Sequence, residues 1–241
     1  MNDVAHLISV LENEVEKMFK PDLSGHNIGH LRRSLANALE LQMIEGGDRE
    51  VIAVSAFIHD VHRLMQQVGG RYVKPVESLS VIKTLIADLP LTVEQKQHIV
   101  HCVEHHEEYN FGKEKVSVTD IETLILQDAD NLDAIGAHGL VRVLKYGESV
   151  RRPVYDSSIP LYLNEYSESE GVIDTSTVHH IHNKLLRLGE HMNTAAARKL
   201  AEPRTKFLRD FIDMYIAESN MTKDCKTSLS VQGKANVRQA E

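Results

Sequence analysis

The chain has 241 residues, 42% hydrophobic and 26% charged, enough to bury one sizeable core and ordinary for a globular protein. Its net charge of -8 argues against nucleic acid as a main partner, and its two cysteines, Cys102 and Cys225, with no CxxC pair, support neither a disulfide framework nor a thiolate zinc site and suit a reducing cytoplasm. Histidine is the outlier at 14 residues, against no tryptophan, which suggests imidazole chemistry without locating it.

Apolar residues recur at helical spacing and two-residue alternation is scarce, which predicts an all-α protein. The first helix spans about 2–19, with Val4, Leu7, Ile8, Leu11, Val15 and Met18 on one stripe and Pro21 beyond its end. That segment mixes acids and bases, unlike a signal peptide, and no run approaches the roughly 20 apolar residues of a membrane span, so no membrane partner is expected. A second helix runs from about 26 to 45 and stops at Gly46 and Gly47. Asp48 caps a third, about 49–66, apolar almost all round and therefore central, closed by Gly69 and Gly70.

Residues 75–88 read as helical, and Thr92 with Gln95 forms a capping box that opens a helix carrying His98, His101, His105 and His106. A second box, Thr119 with Glu122, precedes ETLILQDADNLDAIGA, an oily helix interrupted by acids that need partners. The helical period fails from about 146 to 174, where a long loop of the kind that covers a site is expected. Helices resume at about 176–190 and 194–218, with a kink or restart expected at Pro203. Residues 1–218 thus read as one domain and 219–241, poor in large apolar residues, as a disordered tail.

The His59-Asp60 pair inside an oily helix is explained by a divalent ion, which offsets the cost of burying the acid. His26 and His30 lie four apart on one helical face, and Asp128, Asp130 and Asp133 fall in another oily helix. GHNIGHLRRS, AFIHDVHR and LILQDADNLDAIGAHGLVRVLKYG, taken together and in that order, resemble the HD-domain superfamily of metal-dependent phosphohydrolases. HHIHNKLLRLGEHMNTAAARKLAEPRTKFL is similar to the carboxy-terminal pattern of a bacterial branch of predicted HD hydrolases, so the likeness covers about residues 20 to 215.

The resemblance implies an HD-domain helical bundle with additional C-terminal helices. Carried over residue by residue, it assigns metal ligation to His30, His59, Asp60 and Asp130. Asp128, roughly 200 degrees round the helix from Asp130, would point elsewhere and is left to capping or a surface pair. Asp133, three residues after Asp130, is expected to orient a ligand or touch substrate, and His26 to act one turn before His30. Asn27 and Arg63 depart from the family, which has aspartate after the first histidine and, in several members, an acid three residues after the HD pair. That leaves His62, or the metal itself, to activate water. His105-His106-Glu107 resembles the HHE segment of members with two metals, so His105 and His106 are expected to line the site. Arg142, Lys184 and Arg204 stand at basic positions suited to phosphate oxygens.

The implied activity is hydrolysis of a phosphorylated small molecule, nucleotides first, by metal-activated water attacking phosphorus. The implied cofactor is one divalent ion, manganese ahead of Fe, Mg, Co or Ni, with a second ion left open. Two alternatives stand beside it: a binuclear cyclic nucleotide or dinucleotide phosphodiesterase, and a catalytically inactive HD-fold nucleotide-binding module. Oligomeric state is not legible.

Overall fold

The computed structural model describes residues 4–18, 26–69, 73–108, 118–161 and 176–237. Pro21, Gly70 and residues 162–174 of the expected loop lie outside them. Among the described residues the secondary structure is helical throughout, as the spacing predicts. The order is α1 (Val4–Met18), α2 (Ile28–Glu45), α3 (Arg49–Ile58), α4 (Val61–Gly69), a 3-10 turn at Pro75–Ser78, and α5 (Leu79–Leu85). Then come α6 (Val93–His105), α7 (Ile121–Ala134), α8 (Gly136–Ser149), α9 (Thr177–His180), a π-helical segment (Ile181–Leu185), α10 (Leu186–Glu190) and α11 (Ala195–Val237).

Helix α3 is the centre of the molecule. Every residue from Val51 to Ile58 is buried, and α1, α2, α6 and α7 pack around it. Phe57, Ile52, Leu31, Ile99, Ile125 and Leu126 are fully buried members of one continuous core, each contributing about 1.5–3 kcal/mol by leaving water. Asp48 caps α3 by accepting from the Glu50 and Val51 amides, and Gly46 and Gly47, at φ 86° and 88°, make the turn before it.

Several boundaries differ from the sequence reading. The expected helix at 49–66 is two helices, because the chain turns at His59–Asp60 and the Arg63 amide bonds back to the Asp60 carbonyl at 2.9 Å. Asp120, not Thr119, caps α7 by accepting from the Thr123 amide, while Glu122 reaches the Asp48 amide instead. Helix α8 runs through Ser149, so the non-helical stretch starts at 150 rather than 146. Helix α11 continues through Pro203 and past 218, where the composition predicts a tail; no further proline follows to stop it.

Candidate metal centre

The sequence GHNIGH organises the first wall of the site. Asn27 caps α2, its side-chain oxygen accepting from the His30 amide at 3.2 Å. A Cβ on Gly29 would come within 3.0 Å of that oxygen, so the small residue keeps the cap intact. His30 is thereby fixed as the third residue of α2, in its first turn, and is fully buried. The turn at His59–Asp60 supplies the second wall, and the inward face of α7 the third.

Four donors converge between these walls. His30 Nε2 is 3.2 Å from His59 Nε2, 3.2 Å from Asp60 Oδ2 and 3.4 Å from Asp130 Oδ1. His59 Nε2 is 3.8 Å from Asp60 Oδ1 and 3.6 Å from Asp130 Oδ1. The other ring nitrogens are already engaged. His59 Nδ1 donates to the Ala56 carbonyl at 2.9 Å and His30 Nδ1 to Asp133 Oδ2 at 2.7 Å. Both Nε2 atoms therefore turn toward one point shared with two carboxylates, an arrangement that calls for a cation. A proton on His59 answers in part: burial disfavours it, but Asp60 and Asp130 outweigh that and hold the imidazole up to about 9. A divalent ion would satisfy all four donors at once, and the mixed imidazole and carboxylate set suits first-row metals. Burial also works against the charge of Asp60 and Asp130, yet the neighbouring histidines keep both carboxyls well below their ordinary range.

Asp133 organises the surrounding charges. It accepts from His30 Nδ1, from Arg33 Nε at 2.6 Å and Nη2 at 3.0 Å, and from Arg142 Nη1 at 2.8 Å. Arg33 has no place in the sequence reading, although its position three residues after His30, on the same face of α2, was the available signal. His26 Nδ1 is 2.8 Å from Asp60 Oδ2, and the His26 side chain is 25% exposed, so it links the site to solvent.

On the far side of Asp60 lies a second group, in which donor atoms of Asp60, His62, His106 and Glu107 fall within 4.8 Å of one another. His62 is fully buried, its Nδ1 directed at the His59 carbonyl and its Nε2 3.3 Å from Glu107 Oε1. His106 donates from Nδ1 to the Val103 carbonyl at 2.7 Å, while its Nε2 is buried without a hydrogen-bond partner. Burial and the charge of His59 push His106 down to about 4. Arg63 ion-pairs with Glu107. Burial opposes the Glu107 charge, but the guanidinium prevails and keeps the carboxyl low.

Three predicted residues fall elsewhere. His105 bonds Glu108 at 2.7 Å and its ring lies 4.5 Å from that of His101, on the outer stripe of α6 rather than with His106. Two residues adjacent in a helix are about 100 degrees apart, so only one of them can face inward. Arg204 donates to the Leu132 carbonyl at 2.7 Å and approaches Asn37 Oδ1 at 3.4 Å, tying α11 to α7 and α2. Lys184 sits on the π-helical segment, which contributes none of the four converging donors.

The HD-domain family model matches residues 27–135, a span that encloses His30, His59, Asp60 and Asp130. Residues 27–135 thus carry an HD domain. Members of this superfamily are in general metal-dependent phosphohydrolases. The HD pair itself is His59-Asp60, at the turn between α3 and α4. The chain is 26% identical to Bacillus subtilis YpgQ over 198 residues, 82% of this chain and 86% of that protein. It resembles the crystal structure of a Lactobacillus plantarum protein (TM-score 0.74, 26% identity, 90% of this chain and 98% of that one). It also resembles an HD-superfamily hydrolase from Bacillus thuringiensis (TM-score 0.67, 28% identity, 90% and 99%). The structure of YpgQ in complex with ADP shares the fold at TM-score 0.65 and 24% identity, covering 89% of this chain and 96% of that one. The HD domain thus extends into a longer helical frame shared with these relatives.

Proposed function

We propose that this HD-domain protein is a divalent-metal-dependent phosphohydrolase acting on a nucleotide or related phosphate ester or anhydride. The observation that carries the reading is the convergence of His30 Nε2, His59 Nε2, Asp60 and Asp130, with both Nδ1 atoms committed elsewhere. A divalent ion bound by these four residues supplies Lewis acidity toward a phosphoryl oxygen and lowers the pKa of water. Manganese is the ion of first choice, and the cytoplasm the expected compartment.

The remaining roles belong to the chain. Asp133 holds His30 in one tautomer and orientation, as hydrogen-bonded carboxylates do for ligating histidines. It also aligns Arg33 and Arg142, leaving Nη1 of the first and Nη2 of the second outside that pairing to donate to phosphate oxygens. His26, hydrogen-bonded to Asp60 and partly exposed, offers the proton of the attacking water a path toward solvent. His62 is a positioning residue, since its Nε2 faces Glu107, which is ion-paired with Arg63. A nucleotide substrate is supported by the ADP bound to YpgQ; release of diphosphate from a triphosphate is put ahead of monophosphate hydrolysis on family analogy alone.

The group formed by Asp60, His62, His106 and Glu107 favours a second reading, a binuclear phosphodiesterase of cyclic nucleotides or dinucleotides. Arg63 already supplies that group with a cation, which favours the mononuclear form. A matrix of Mn, Mg, Fe, Co and Ni against nucleoside mono-, di- and triphosphates and cyclic dinucleotides tests both. Metal-dependent release of diphosphate supports the first reading, and cyclic dinucleotide turnover with two manganese equivalents the second. Metal retention with no turnover of any compound would replace both with a nucleotide-binding module.

A further inference from the structure

The histidine stripe of α6 has no part in the HD centre, yet it meets the start of α7 in a group with its own chemistry. His98 Nε2 lies 2.9 Å from Asp120 Oδ1 and 3.7 Å from Glu122 Oε2. Donor atoms of His98, Cys102 and Asp120 lie within 4.8 Å of one another. His98 and Cys102 are one turn apart on α6, and His101 Nε2 stands 3.2 Å from Asp120 Oδ2 at the rim. Bond lengths of about 2.0–2.3 Å in tetrahedral zinc sites put neighbouring donors roughly 3.3–3.7 Å apart, close to the spacings found here.

The surroundings suit an ion as well. The His98 side chain is 31% exposed and that of Asp120 28%, so an ion can enter, whereas Cys102 closes the inner side and is fully buried. Glu122 Oε1 is held by the Asp48 amide, which leaves Oε2 turned toward His98. The Thr123 hydroxyl lies between two of these donors, 2.7 Å from Asp120 Oδ1 and 3.3 Å from Cys102 Sγ. Burial pushes the free thiol up to about 12, so at neutral pH the thiol keeps its proton until an ion displaces it to solvent.

We infer that His98, Cys102 and Asp120, with Glu122 as fourth donor, form a second metal site for a borderline-soft ion of the zinc class. Sulfur and nitrogen donors select such an ion over the oxygen-preferring metals. Asp120 also caps α7, the helix that carries Asp130 and Asp133. The ion therefore clips α6 to the start of that helix, joining residues 98 and 122 and limiting the freedom of the unfolded chain between them.

Titration of the full-length protein with Co²⁺ and Zn²⁺ tests the site independently of the HD centre, which contains no sulfur. Cobalt is expected to give a thiolate-to-cobalt charge-transfer absorption that zinc abolishes. His98→Ala, Asp120→Asn and Cys102→Ser should all remove it. His98→Ala should also lower zinc affinity by at least the roughly 10-fold typical even of outer-sphere changes, with manganese-supported turnover unchanged. No charge-transfer band in the wild-type protein, or a band that persists in Cys102→Ser, overturns the inference. So does a zinc affinity that is unchanged between the wild type and His98→Ala.

Discussion

Asp128 and Asp130 are separated by one residue on α7 and face opposite sides of the helix. Asp130 is partly exposed and points at His30 and His59, whose imidazoles favour its charged form. Asp128 points at the start of α11, where Oδ1 accepts from the Asn193 amide at 2.7 Å and Oδ2 from the Thr194 amide and hydroxyl at 2.8 Å each. The same residue type in the same helix thus meets the cost of burial in two ways. One carboxylate is set against the imidazoles of the proposed metal centre, and the other against backbone donors that fasten the C-terminal helices to the HD domain. Asp133, one turn beyond Asp130, stands between the cases: it faces the site but is satisfied by His30, Arg33 and Arg142.

If the two faces of α7 are separable, substitutions on them should fail in different assays. Asp130→Ala is expected to abolish both metal binding and turnover while the far-UV circular dichroism stays native, since the lost group is a ligand rather than a clamp. Asp133→Asn should lower metal affinity or activity about 10–100-fold, as loss of a group orienting a ligating histidine does. Calorimetric manganese titration and steady-state rates check both. Asp128→Ala should instead cost about 3 kcal/mol in denaturant unfolding, because it leaves two amides and a hydroxyl without their acceptor, and should retain manganese at 25 °C. An Asp128→Ala protein that folds normally but has lost its metal would join the two faces into one unit.

Acid gives the smallest effect and the sharpest view of Asp133. Burial raises its pKa, but hydrogen bonds from His30 and Arg33 outweigh this and depress it below the usual 3.8. A depressed folded-state value means the stabilisation is fully present above about pH 4 and is lost as pH falls toward the folded value. Asp133→Asn should therefore flatten the acid limb of the stability profile, as read from thermal midpoints between pH 5 and pH 2. A limb of unchanged slope would remove Asp133 from the account.

Helix existence was legible throughout, because amphipathic spacing and caps such as Asp48 and the Thr92–Gln95 box are local properties. The break at His59–Asp60 was not, since an oily run reads as one helix until tertiary packing turns two polar side chains inward. The order of His30, His59-Asp60 and Asp130 pointed to the four side chains that converge because the family likeness is carried by short contiguous motifs. Arg33 went unread, and the pairing of Glu107 with Arg63 was missed, because these contacts join residues distant in sequence. Arg204 and His105 show the opposite error: residue type alone does not tell whether a side chain faces the site, a helix end or solvent.

The most direct test of the central claim is manganese binding measured beside turnover in Asp60→Ala, since Asp60 contacts both His30 and His26. The account predicts loss of the manganese bound at the HD centre and of all phosphohydrolase activity, with helicity retained. An Asp60→Ala protein that keeps its manganese and full turnover would contradict it.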